Sequence, residues 1–486
     1  MKKISFFLLF VTMFAMAGAQ NINQSVSKQN GKTNIAEFKN IILVGEQNGK
    51  TIGVTNRYTS LLGKYIKKEC KVVAFDNDMN ISGTLDIPKT KDHENLAATL
   101  YNGKVYILTR RSDRSEVVYE RFVVDPTTMQ LSEEPTVLYR YTSQRKDDNY
   151  YWANQSPDGM LTGLIHITTN RKNDKFEAVE FLLDEEMKVE WQQEYPIYSL
   201  SHLIVTNDGE LVTIGNDGAK TGTRSNIYIS ILDADNAIDM SETLNVTVTN
   251  NRLISYSDGK VLATGFGVNT RNTDDIQYFG IAADNKLQQI NVSYKSLTDN
   301  EKNVFVNRNY GSKPKTPATE AMIMRHYEPT EFGGVCTIHI RWNETICNQN
   351  GCRLTAYQEG VLIYGIDKDG EIIWHHPIRS SSKEKNSELT ISSSLCVDGN
   401  NVYFFQSESP KWPQTYNMDK KLKTFVLNNG SKNIGVYRIN SDGKITKNVL
   451  TLAKKNVLSC SLQRNGEKYT GFLSTGKGVS RIDIKF

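Results

Sequence analysis

Two kinds of chain reversal alternate along this sequence, and together they limit what it can fold into. The first is an Asx-Gly turn between runs of alternating β-branched and aromatic residues. It occurs in 41–54 around Asn48-Gly49, 96–109 around Asn102-Gly103, 152–168 around Asp158-Gly159 and 203–215 around Asp208-Gly209. It recurs in 253–265 around Asp258-Gly259, 389–406 around Asp398-Gly399 and 457–473 around Asn465-Gly466. Asn and Gly adopt the left-handed backbone of a tight hairpin at little cost, so each copy predicts two antiparallel strands. A weaker copy, 321–340, is expected to turn on Gly333-Gly334.

The second reversal follows most copies: an apolar strand runs into an acidic turn and then into another strand. Its turn residues are Asp76, Asp125, Asp184, Asp233, Asp284, Asp367 and Asn440, spaced at about 50 residues through the first five and wider afterwards. Two hairpins per period make a four-stranded unit. Such a unit cannot bury both faces alone, so its repetition predicts an all-β fold, a β-propeller of four-stranded antiparallel blades. Seven units and a C-terminal remnant favour eight blades, with seven as the alternative. The last sheet is expected to be completed by an N-terminal strand at 33–38, which removes an open edge. The reading is a tail over 20–32 and one propeller domain over 33–486. No stretch sustains a helical apolar period.

Within one unit, Gly365-Ile366-Asp367-Lys368-Asp369-Gly370-Glu371-Ile372-Ile373-Trp374 resembles the blade motif of quinoprotein-like propellers. Residues 182–191 and 437–445 are partial echoes. The resemblance implies the propeller fold, in what is expected to be a secreted bacterial protein. No quinone-binding or metal-binding residue carries over from it, so no cofactor is expected.

The first 19 residues carry Lys2 and Lys3, an apolar run over 4–16, and Ala17-Gly18-Ala19 ahead of Gln20. That is the order of a secretory signal peptide, with cleavage expected after Ala19. The run is shorter than the roughly 20 residues of a membrane span, and no later run reaches that length. The expectation is a monomeric protein without a transmembrane span, secreted, periplasmic or associated with an outer membrane. In an oxidising compartment Cys347 and Cys352, which enclose the turn-forming Asn348-Gln349-Asn350-Gly351, are expected to form a disulfide. Cys70, Cys336, Cys396 and Cys460 read as small buried hydrophobes.

Composition narrows function. With 58 basic and 54 acidic residues the formal charge is +4, which lacks the strongly basic field of a nucleic-acid binder. The acidic turns at Asp76, Asp233 and Asp367 invite calcium. An EF-hand needs a carboxylate at position 12, and Ile87, Leu244 and Ile378 stand there. They read as turn residues that accept local backbone hydrogen bonds. His375 and His376 are adjacent in a strand and so point to opposite faces. No nucleophile elbow, metal helix or phosphate loop is present.

Several of the second-to-third strand connections begin near an arginine: Arg57, Arg111, Arg171, Arg271 and Arg341. Tyr58, Trp342 and Trp412 lie near these connections. Guanidinium groups bind carboxylates or phosphates through paired hydrogen bonds, and aromatic faces stack on sugars or peptide side chains. These eight residues are the candidate ligand-binding set, the catalytic set being unknown. The function read from the sequence is an exported, non-catalytic propeller that binds a protein or an anionic or glycan partner through this face. The alternative is a glycan hydrolase or lyase with carboxylates in the central channel. Long polar connections at 307–320 and 380–387 and an insertion at 407–432 complete the expected surface.

Overall fold

The computed structural model describes residues 23–26, 41–61, 64–78, 80–87, 94–112, 116–142, 147–170, 175–197, 199–218, 222–257, 259–272, 275–299, 301, 322–348, 351–385, 393–417, 422, 425–426, 430–458, 462–465, 467–475 and 478–486. Eight four-stranded antiparallel blades stand in a ring, which resolves the choice between eight and seven. Blade 1 is Ile41–Gln47, Lys50–Leu61, Lys64–Phe75 and Ile81–Asp86, and blade 2 opens with Glu94–Tyr101 and Lys104–Ser112. Blades 3, 4 and 5 begin at Asp147–Gln155, His202–Val205 and Val246–Ser257. Blade 6 is Met322–Thr330, Gly333–Asn348, Gly351–Asp367 and Ile372–Lys385, and blade 7 begins at Ser393–Asp398.

The strands form because each blade is apolar on both faces and every face has a neighbour to cover it. Eight apolar clusters lie among the described residues, one between each pair of adjacent blades. The cluster where the ring closes, between blades 8 and 1, is the smallest: Ile41, Val73, Phe75 and Phe472. Polar contacts reinforce it. Arg481 Nη1 donates to Thr51 Oγ1 at 2.7 Å, and its guanidinium also meets Glu46.

The Asx-Gly turns join the first and second strands of their blades. At Asn48 and Asn102 the backbone is left-handed, with φ of 51° and 45°, as a two-residue hairpin requires. The acidic turns join third and fourth strands. Each Asp carboxylate accepts the backbone N–H groups that follow it: Asp76 from Asp78 and Asn80, Asp184 from Glu186 and Lys188, Asp367 from Asp369 and Glu371. The turn reading of these acids therefore holds. In the unit 365–374, Gly365 leaves room for the indole of Trp374, which a side-chain methyl would overlap. That motif is a packing device of the blade.

Two expectations are corrected. The strand that completes blade 8 is Asn23–Val26, antiparallel to Gly478–Lys485, instead of 33–38, which lies outside the described residues. In blade 6 the turn is Glu331-Phe332, and Gly333 already pairs with Thr330. Gly334 is needed for packing, because a β-carbon there would strike Ile254 of blade 5.

Cys70, Cys336 and Cys396 are buried and unbridged, and Cys460 lies outside the described residues. Cys347 and Cys352 face each other across the hairpin as register partners, while their side chains lie outside the described set. No helix among the described residues is long and apolar enough to cross a membrane.

Candidate functional site

First strands line the centre of the ring, and their last residues run into the Asx-Gly turns. At that end of the channel blades 3 to 8 enclose a recess of about 1500 Å³. Ordinary small-molecule pockets span about 300–1,000 Å³, so this one has room for a chain segment.

Acids line it: Asp208 and Glu210 from blade 4, Glu328 and Glu331 from blade 6, and Asp398 from blade 7. Among the described residues, Arg464 of blade 8 is the one basic side chain other than histidine on the lining. Tyr256, Tyr327 and Tyr469 present aromatic surface between these groups. The Tyr469 hydroxyl is fixed to blade 7, donating to the Val397 carbonyl at 2.7 Å and accepting from the Val397 N–H at 3.3 Å. Burial pushes that hydroxyl up to about 12.

Confinement shifts the acids as well. Glu328 is open to the water of the recess yet surrounded by channel wall, and this raises its carboxyl to about 7. Desolvation also raises Glu210, against a hydrogen bond from Tyr256. Near neutral pH Glu328 can therefore exchange a proton with a bound group. His202 lies edge-on to Tyr327, ring centroids 4.6 Å apart, and burial together with Arg252 drives its imidazole down to about 3. It is neutral at physiological pH.

The residues expected from sequence are placed as follows, so far as they are described. Arg57 and Arg341 lie inside long second strands, opposite Glu69 and Gln358 in register, because those strands continue to Leu61 and Asn348. Arg111 is engaged by Glu120 at 3.2 Å and Glu116 at 3.0 Å across its own hairpin. Arg271 is exposed beside the second-to-third connection of blade 5. Arg171 lies outside the described residues, as do the side chains of Arg57, Tyr58 and Trp342.

Trp412 is only 4% exposed, packed in the blade 7 insertion. The insertion covers a buried ion pair, Lys447 to Glu408 at 2.7 Å, and its Pro413 carbonyl accepts a second bond from Lys447. Strand direction places Arg57, Arg111, Arg271 and Arg341 towards the end of the ring opposite the recess. Among the described side chains, Arg111, Arg271, Arg341 and Trp412 are not on the lining of the recess.

Sequence reasoning missed Glu328, Tyr327, His202, Tyr256 and Tyr469. A signal existed for most of them: they belong to the strands that flank the first turns, and those turns were identified.

No family model and no curated protein matches the chain. Among solved structures, the WD40 domain of SCAP from fission yeast is 9% identical, with 96% of this chain and 98% of that chain covered and a TM-score of 0.36. The Dos1 propeller is 8% identical, with 94% and 95% covered and a TM-score of 0.41. The polysaccharide lyase Uly1 is 12% identical, with 88% and 93% covered and a TM-score of 0.35. None of these likenesses bears on function. By its own topology the chain is an eight-bladed β-propeller closed by its N-terminal strand.

Proposed function

We propose that this protein is an exported, monomeric binding propeller whose recess receives a basic segment of a partner protein. The observation that carries the reading is the lining: among the described residues, five carboxylates and three tyrosines stand against one arginine. Clefts lined by one sign of charge concentrate the opposite charge, and tyrosine faces hold ammonium and guanidinium groups. Export follows from the charged, apolar and small-residue order of 1–19, and a Cys347–Cys352 disulfide accompanies it.

The opposite end, towards which strand direction carries Arg57, Tyr58, Arg271, Arg341 and Trp342, is assigned on sequence grounds, together with Arg171, to an anionic or glycan contact. The test is calorimetric titration with a lysine-rich peptide and with the same peptide carrying glutamate in place of lysine. Binding of the basic peptide that weakens with salt, and weakens at least tenfold in the Glu328→Gln/Glu331→Gln variant, supports the reading. Equal binding of both peptides overturns it.

A second reading rests on Glu328 alone. A carboxyl near 7 suits a general acid, and the recess would then belong to a glycan hydrolase or lyase. Polysaccharide cleavage abolished by Glu328→Gln would establish that reading in place of the first.

A further inference from the structure

On the first strand of blade 6, deeper than the recess, stands a group of basic side chains. Arg325 is the extra residue of a bulge between Met324 and His326. Its Nη1 atom is buried and has no hydrogen-bond partner. No ion pair to Arg325 is present among the described residues, and the charged group that acts on it is another cation, Arg341 of the neighbouring strand. Burial and Arg341 together push the Arg325 guanidinium down to about 9, which still leaves it charged at neutral pH.

Two imidazoles complete the group. His326 and His339 are 7% and 0% exposed, with ring centroids 5.5 Å apart. His339 Nε2 is bonded to Thr337 Oγ1 at 3.1 Å and the Gln358 side chain lies beside the same ring, while His339 Nδ1 and His326 Nε2 have no partner at hydrogen-bond distance. The charge of Arg325 helps to hold both rings neutral. Phe404 of blade 7 flanks both rings, at 6.4 and 6.0 Å between centroids, and closes the group against water on that side.

Buried polar groups are satisfied as a rule, and a buried charge without a partner is strongly unfavourable. Here a guanidinium with an unpartnered buried nitrogen adjoins, in the chain, two packed imidazoles that also hold unpartnered nitrogens, and no ion pair to Arg325 is present among the described residues. We infer that the inner edge of blade 6, at its boundary with blade 7, binds a small oxyanion against Arg325, with the His326 and His339 rings as further donors. A carboxylate, a phosphate or a sulfate satisfies this donor set, since a guanidinium pairs with two oxygens of any of them. The site is independent of the recess: Arg325 precedes Glu328 on the strand and carries the opposite charge.

The test is thermal unfolding and calorimetric titration of the full mature chain with sodium phosphate, sodium sulfate and sodium acetate, each against sodium chloride at constant ionic strength. At least one oxyanion is expected to raise the unfolding temperature and bind with saturation, and the three arms distinguish carboxylate from tetrahedral anions. In Arg325→Met that binding is expected to weaken roughly 10- to 100-fold, the loss of a charge-assisted hydrogen bond. The variant is also expected to be at least as stable as the native chain in chloride, because a half-buried guanidinium with an unpartnered buried nitrogen is gone. Wild-type protein that none of the three oxyanions stabilises beyond chloride overturns the inference, as does an identical response in Arg325→Met. Should that variant fail to fold, the wild-type titrations decide alone.

Discussion

Glu180, in the third strand of blade 3, is 0% exposed, and neither of its carboxyl oxygens has a hydrogen-bond partner. Burial pushes this carboxyl from 4.5 up to about 8, and the nearby backbone N–H groups of Glu180 and Tyr195 offset only part of that. The folded chain therefore holds a proton that the unfolded chain releases above pH 4.5. Stability falls as pH rises from 4.5 towards 8 and levels off beyond it. Between pH 4.5 and 7 the effect amounts to about 3 kcal/mol at 1.36 kcal/mol per pH unit. Glu180→Gln keeps the shape and removes the titration. Its stability relative to the native chain is expected to be constant below pH 4.5 and to rise by about 3 kcal/mol by pH 7. Equilibrium denaturant unfolding of both proteins at several pH values between 4 and 9, followed by tryptophan fluorescence, measures the difference. A difference independent of pH would refute the reasoning, since it would mean that Glu180 ionises equally in both states.

Other perturbations test other parts of the fold. Lys447→Met strands the Glu408 carboxylate, 2% exposed, against Tyr437 and Gln406, and is expected to cost about 3–5 kcal/mol in the same assay. Gly365→Ala places a methyl against the Trp374 indole and is expected to destabilise by about 1–3 kcal/mol, with a shifted tryptophan emission. Below pH 6.5 the buried neutral His166, His202 and His326, lowered to about 4, 3 and 3, favour the unfolded chain, whose imidazoles take up protons. The melting temperature is therefore expected to drop as pH falls from 6.5 to 4, and His166→Gln is expected to lessen the drop.

The fold was legible because its signals are local. An Asx-Gly pair sets a hairpin with two backbone angles, and an Asp before a turn accepts amides two to five residues ahead, so neither needs the rest of the chain. The closing strand was not legible. Asn23–Val26 has four residues without alternation, and only the unpaired edge of Gly478–Lys485, more than 450 residues away, gives it a partner. Gly333-Gly334 misled because glycine serves packing as well as turning, and the reason, Ile254, belongs to the preceding blade.

The site failed to show for the same reason on a larger scale. Six blades each contribute a few residues to the recess, and no spacing in the sequence records that a ring brings them together. Arg111 looked available in sequence, but antiparallel register delivers Glu116 and Glu120 to it. Arg325, which no motif marks, stands out only once its neighbours are known.

The acidic recess is proposed as the place where a partner enters. A crystal structure of the protein with a lysine-rich peptide tests this directly. The peptide is expected in the recess, its ammonium groups among Glu328, Glu331 and Asp398 and its stem against Tyr327 and Tyr469. A peptide bound instead at the opposite end of the ring, or a recess left empty while calorimetry shows binding, would contradict it.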